Sequence, residues 1–262
     1  MTDRTGTTVR DTVRDAATVR DAATVLLVRD APGLEVFMLR RSPHSVFVAG
    51  AHVFPGGALD PADAPELMAR HCPGRTDAEA SAALGLPSGG LAYWVAAIRE
   101  CFEEAGVLLA RDASSGAPLD LSDPGTADRI ARYRARVDAG EFRLADVLDA
   151  EGLVLDVGAL HAFAHWITPP GAPRRYDTRF FVAAAPEGQV PTPDLRETVA
   201  GEWVTPHAAL ARFEQGDLDL IHPTLRSLET IAAFDRAPDL LAAVAAGLGP
   251  DGHLGGGNGV HA

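Results

Sequence analysis

Lysine is absent from this chain: every one of its 23 basic residues is arginine. The guanidinium is therefore the only fixed side-chain cation available to a phosphate group. Positive charge is also in short supply. Thirty-six Asp and Glu leave a formal net charge of −13, which excludes a general affinity for DNA, RNA or anionic membranes, since each needs a basic footprint. Cysteine is scarce, and Cys72 and Cys101 offer neither a disulfide framework nor zinc-ligand spacing. Long apolar runs are missing too. No stretch approaches the roughly 18 apolar residues of a membrane span, and the polar first residues lack the apolar core of a secretory signal. The expectation is a cytoplasmic protein with no nucleic-acid or membrane partner.

What remains is 262 residues, 47% of them apolar, enough for one large domain or one domain with an elaboration. A local repeat opens the chain: Thr-Val-Arg-Asp-Ala-Ala at Thr12–Ala17 recurs at Thr18–Ala23. Its alternating charges and small side chains bury little, so residues 1–21 read as a disordered arm. The glycine-rich residues 247–262 read as a flexible tail. Between them, 22–246 form the expected domain. Strands are predicted at Ala23–Val28, Glu35–Leu39, His52–Phe54, Leu153–Leu155, His161–Thr168, Thr178–Ala184 and Trp203–Thr205. Helices are predicted at Ala92–Ala105, within about 126–150, at His207–Phe213 and at Leu225–Arg236. Strands flanked by helices give an α/β sandwich.

The informative run is Arg99-Glu100-Cys101-Phe102-Glu103-Glu104-Ala105-Gly106-Val107. Val95, Ile98, Phe102 and Ala105 make the apolar face of its helix, and Gly106 ends it. Residues three and four apart are neighbours on a helix, so Glu100, Glu103 and Glu104 project toward nearly the same point. An acidic patch is ordinarily a solvated face, but three gathered charges repel unless a cation sits among them. Hard ions such as Mg²⁺ take carboxylate oxygens and bridge to substrate phosphates. The run thus points to a metal-dependent enzyme acting on a phosphate ester or anhydride. Arg99, one residue before Glu100 and one turn before Glu103, is placed to orient those carboxylates.

At these residues the chain resembles the Nudix hydrolases, whose signature joins an upstream glycine and acidic residue to Arg-Glu-aliphatic-x-Glu-Glu-x-Gly-aliphatic. The second half departs only at Cys101, and Phe54-Pro55-Gly56-Gly57 with Asp63 supplies the first. The interval from Ala64 to Ile98 is about 28 residues longer than the family spacer, an insertion over about 64–91 that a surface loop tolerates at modest entropic cost. Further stretches resemble the coenzyme A diphosphatase branch with an interrupted box: Leu39-Arg40-Arg41-Ser42-Pro43, Ala51–Asp60, His165-Trp166-Ile167-Thr168-Pro169, Arg174–Phe181 and Trp203-Val204-Thr205-Pro206.

The resemblance implies a Nudix-type α/β/α sandwich with a mixed sheet, the insertion and an extra helical segment at about 126–150. It implies Mg²⁺ or Mn²⁺ held by Glu103 and Glu104, with Glu100 either completing the cluster or accepting a proton from the attacking water. Arg99 is the orienting residue. Asp63 and Glu197 are the expected further metal ligands, with Glu202 the local competitor of Glu197. Gly56 and Gly57 would let backbone approach the site. His52, Arg40, Arg174 and Arg175 are candidates for substrate contact. Arg40 and Arg41 alternate faces, so at most one points into the pocket, while His161, Phe163 and His165 share a strand face. The implied substrate is a nucleotide-containing small molecule, coenzyme A or acyl-coenzyme A first, ADP-ribose or NADH second. A non-catalytic nucleotide-sensing or interaction module is the rival from another class. A homodimer is compatible with all of this, and the sequence leaves the oligomeric state open.

Overall fold

A computed structural model describes residues 18–44 and 48–250. It opens with β1 (Val19–Asp30) and β2 (Leu34–Arg41), followed by the short β3 (His52–Val53) and β4 (Gly56–Ala58). Helices α1 (Pro65–Met68), α2 (Asp77–Leu84) and α3 (Leu91–Ala105) come next, then β5 (Ala110–Asp112), α4 (Pro124–Asp138), α5 (Leu144–Glu151) and β6 (Leu153–Leu155). The chain closes with β7 (His161–Ile167), β8 (Arg175–Ala184), β9 (Thr198–Val204), α6 (Pro206–Glu214), α7 (His222–Ile231) and α8 (Ala237–Ala245).

The run Val25-Leu26-Leu27-Val28 has no polar break, as expected of a strand buried on both faces. It lies in β1, at the centre of a sheet ordered β3-β2-β1-β8-β7, with β4 also pairing β1 and β9 pairing β2. β1 runs parallel to β8 and antiparallel to β2 and β4, so the sheet is mixed. Strand alternation divides its side chains. Ala23, Val25 and Leu27 pack with the α3 residues Trp94, Ile98 and Phe102, whereas Leu26 and Val28 pack with Leu228, Ile231 and Leu240 of α7 and α8. The result is the three-layer α/β/α arrangement. Burial of each large apolar side chain contributes roughly 1.5–3 kcal/mol, and α3 buries Leu91, Trp94, Ile98 and Phe102 together.

Several elements differ from the sequence reading. β1 begins at Val19, inside the expected arm, because ten consecutive residues pair with β8. The rest of that arm (1–17) and residues 251–262 of the tail lie outside the described residues. The last expected helix ends at Ile231, and α8 follows as a separate helix. β7 carries a register shift between Ala162 and Ala164, so Phe163 and His165 do not share a face. Phe163 enters the core beside α7 and α8, while His165 Nε2 meets Asp177 Oδ1 at 2.5 Å.

Residues inserted between the two halves of the signature form α1 and α2, and they stabilise the start of α3. Asp77 accepts from the Gly89 and Leu91 N–H groups, and buried Ser81 Oγ accepts from Gly90 N–H. These bonds satisfy donors that a helix N-terminus leaves unpaired.

Candidate active site

Glycine is required where β4 meets β1 and α3. A Cβ on Gly56 would lie 2.6 Å from the Ala23 carbonyl oxygen, and one on Gly57 would lie 2.5 Å from a Glu100 carboxylate oxygen. The backbone of β4 therefore presses directly on the acidic edge of α3. Gly56 N–H donates to Glu104 Oε2 at 2.9 Å.

Arg99, 9% exposed, organises the neighbouring carboxylates. Its Nε and Nη2 form a two-pronged pair with Asp63 at 2.9 and 3.0 Å, and Nη2 also donates to the Ala58 carbonyl. Its Nη1 donates to Glu100 Oε1 at 2.8 Å and reaches Glu103 at 3.3 Å. Asp63, 1% exposed, also accepts from Asp60 N–H at 2.8 Å. Burial opposes the charge on Arg99, but the Asp63 hydrogen bonds and the carboxylates of Glu100, Asp63 and Glu103 hold its pKa above the ordinary arginine value. Asp63, expected as a metal ligand, is thus committed to Arg99 and does not line the cavity. The insertion leaves the acidic residue in contact with the helix, but as the anchor of its arginine.

The cavity has a volume of about 1010 Å³, and Glu100, Glu103, Glu104, Gly56 and Gly57 form one wall. Burial, partly opposed by Arg99 and reinforced by Glu103, pushes Glu100 up to about 7. Burial raises Glu103 as well. Glu104 is raised well above the usual carboxylate range by burial and by the Glu100 charge, with the Gly56 N–H and Arg41 acting the other way. These carboxylates are therefore under-compensated by the protein, and their hard oxygen donors suit Mg²⁺ or Mn²⁺. The convergence expected from helical spacing is nevertheless incomplete. Glu100 and Glu103 turn to Arg99 and Glu104 turns to Gly56, so among the described residues no three acidic, His or Cys side chains already form a metal cage.

Glu197 also lines the cavity, on a turn where Leu195 adopts φ 61°. Glu202 instead accepts from Arg212 Nη1 at 2.9 Å. Of the candidate substrate contacts, Arg174 lines the cavity while Arg175 Nε donates to the Thr168 carbonyl at 3.0 Å. Arg41, not Arg40, faces the cavity, and its buried Nε has no partner among the described residues. The irregularity in the pairing of β2 with β9 leaves Val199 of β9 as the extra residue, so Arg40 and Arg41 keep the ordinary alternation of β2. His52 is buried outside the cavity lining, its N–H donating to the Asp219 carbonyl at 2.8 Å. Burial lowers its pKa. Cys72 and Cys101 are buried free thiols, as packing residues would be.

Sequence reasoning missed the groups that fasten the end of α3. An α-helix leaves its last four carbonyls without intrahelical donors. Here Phe102 accepts from Gly106 N–H, Glu103 from Arg134 Nε and Nη2 at 3.0 and 2.8 Å, Glu104 from Asp194 N–H, and Ala105 from Thr192 N–H. Arg134 comes from α4, whose Asp138 also pairs with the cavity residue Arg196. The abundance of arginine in α4 was visible in the sequence, but nothing local indicated which of them would reach Glu103.

Comparison with known proteins agrees with this geometry. Residues 65–231 match the family model described as the NUDT19 Nudix domain. The acyl-coenzyme A diphosphatase NUDT19 of Homo sapiens is 34% identical over 80% of this chain and 64% of its own length. Its Gallus gallus counterpart is 31% identical over 83% of this chain and 69% of its own. The chain thus spans about two thirds of these relatives. A crystal structure of a Nudix hydrolase from Alicyclobacillus acidocaldarius superposes with a TM-score of 0.67 at 29% identity, covering 86% of this chain and 96% of that one. With the glutamate-bearing helix, the glycine strand against it and these similarities in agreement, the chain belongs to the Nudix hydrolase superfamily, in the NUDT19 branch.

Proposed function

We propose that this chain is a Mg²⁺- or Mn²⁺-dependent diphosphatase that cleaves the diphosphate linkage of a nucleoside diphosphate derivative, with coenzyme A or acyl-coenzyme A as substrate. One observation carries the reading: Glu100, Glu103 and Glu104 stand beside Gly56 and Gly57 in the wall of a large cavity that is otherwise rich in arginine. The substrate assignment follows the likeness to relatives named acyl-coenzyme A diphosphatases.

Glu103 and Glu104, with Glu100 or Glu197, are the donors that would hold the ion. Bound there, it supplies charge neutralisation of the diphosphate and polarisation of a phosphoryl oxygen. Glu100, with a pKa near neutrality, is suited to accept a proton from the attacking water. Arg99 positions Glu100 and Glu103 by its hydrogen bonds. The glycines leave room for phosphate against the β4 backbone. Water oxygen attacks one phosphorus in line as the bond to the bridging oxygen breaks. With coenzyme A the products are adenosine 3′,5′-bisphosphate and 4′-phosphopantetheine.

The test is a competitive panel of coenzyme A, an acyl-coenzyme A, ADP-ribose and NADH, in Mg²⁺ and in Mn²⁺, with products identified. Metal-dependent release of the two products from coenzyme A, abolished in E103Q/E104Q, is expected. Preferential cleavage of ADP-ribose or NADH would replace the substrate, and stoichiometric binding without product would replace the enzyme by a binding module. Among the described residues no helix is long and apolar enough to cross a membrane. The cytoplasm is the compartment we assign, checked by cell fractionation.

A further inference from the structure

The cavity has a second, cationic end. Arg20 on β1 pairs in register with Tyr176 on β8, and Arg174 lies two residues before Tyr176; all three line the cavity. Neither Arg20 nor Arg174 has a hydrogen-bond or ion-pair partner among the described residues. Strand alternation turns the acids next to Arg20 and Tyr176 away from that face. Asp21 and Asp177, the next register pair, belong to the opposite face, where Asp177 meets His165. Both guanidinium groups line the same cavity in a chain of net charge −13, and an anion bound there would meet positive charge left uncommitted by the protein.

Their position along β1 limits what the anion can be. Ala22 and Thr24 follow Arg20 on the same face, and Thr24 pairs with Gly56, whose N–H meets Glu104. Four strand positions separate the two ends by roughly 13 Å. A diphosphate at the carboxylate wall therefore leaves Arg20 and Arg174 facing another part of the ligand. Guanidinium forks match the several oxygens of a phosphate dianion better than a single carbonyl or hydroxyl.

Resting on the diphosphatase reading above, we infer that Arg20 and Arg174 form a separate subsite for a phosphate monoester carried by the nucleotide half of the substrate. The subsite makes the enzyme selective for ligands bearing a terminal phosphate in addition to the diphosphate. It acts in binding, and the bond that breaks lies at the other end of the cavity.

The test compares coenzyme A with 3′-dephospho-coenzyme A, which lacks only that monoester, for the wild type and for R20Q/R174Q. Both side chains are exposed, so the double variant is expected to fold. The wild type should favour coenzyme A in kcat/KM by about tenfold or more, mainly through KM. In R20Q/R174Q the ratio should fall to within about twofold of one. A wild-type ratio near one, or a variant that lowers both substrates equally and keeps the ratio, overturns the subsite. Calorimetry with adenosine 3′,5′-bisphosphate and AMP gives an independent answer. Tighter binding of the bisphosphate, lost in the variant, supports the subsite; equal affinities overturn it. If the wild type cleaves neither coenzyme, the diphosphatase reading fails, and the calorimetry still decides the subsite.

Discussion

The two ends of the cavity use arginine in opposite ways. At the carboxylate wall, Arg99 is buried and spends its donors on Asp63, Ala58, Glu100 and Glu103. At the far rim, Arg20 and Arg174 are exposed and have no partner among the described residues. The first arrangement determines where protein groups stand before any ligand arrives. The second is left for the ligand to complete. A buried charge deprived of its partner is costly, whereas an exposed one is solvated, so the same residue type should respond very differently to substitution at the two ends.

The largest effect is expected at the wall itself. E103Q/E104Q should lower kcat/KM by about 10³-fold or more, measured with saturating Mg²⁺, because donors aimed at the reacting charge are removed. Next is D63A, which leaves Arg99 without its two-pronged partner. Denaturant unfolding should show a loss of about 3 kcal/mol, because two charge-assisted hydrogen bonds disappear while Glu100, Glu103 and the Ala58 carbonyl still hold Arg99. A far smaller loss would break the proposed contrast between the two ends.

Acidity offers a third test. Glu100 has a folded-state pKa of about 7 against an ordinary value of 4.5, so between those values the folded protein binds more protons than the unfolded chain. Stability of the metal-free protein should therefore fall as pH rises from about 5 to 8, by on the order of 3 kcal/mol. Added Mg²⁺ should restore it. Thermal melts with and without the ion measure both, and a metal-free Tm that rises with pH over this range would contradict the assignment.

R134A should cost about 1–3 kcal/mol, the loss expected when a charge-assisted bond to the Glu103 carbonyl disappears, and should lower kcat more than it raises KM. R134K should recover part of each. The smallest effect belongs to the rim: R20Q should change unfolding free energy by less than about 0.5 kcal/mol. If R20Q destabilised the fold as strongly as D63A, the distinction between anchored and ligand-ready arginine would collapse.

Parts of this were legible in the chain before folding was considered. The helix Ala92–Ala105 emerges within one residue as α3, because its apolar spacing and the Gly106 stop are local signals. Gly56 and Gly57 are likewise needed where they stand, although the clashing partners, Ala23 and Glu100, appear only when β4 docks. The signature places an acid at Asp63 and so suggests a ligand there. Its actual orientation depends on where the inserted residues return the chain to Arg99. Alternation along β2 puts one of Arg40 and Arg41 toward the cavity but does not say which, and the irregularity in β7 that separates Phe163 from His165 has no local signal. Such a shift reverses which face a strand residue takes, and it arises from pairing between distant segments.

By itself, then, the amino-acid order determined the acidic helix, its glycine terminus and the apolar strands on which it packs, since all three follow from neighbours a few residues apart. Tertiary structure decided which cations serve that helix: Arg99 held by Asp63 beside its acids, Arg134 brought across from α4 to the Glu103 carbonyl, and Arg41 turned toward the cavity. It also brought Arg20 and Arg174 to one cavity through the parallel pairing of β1 with β8, which joins Arg20 to Tyr176, more than 150 residues away in the chain. No local periodicity encodes a pairing of that range, because it depends on how the whole core closes.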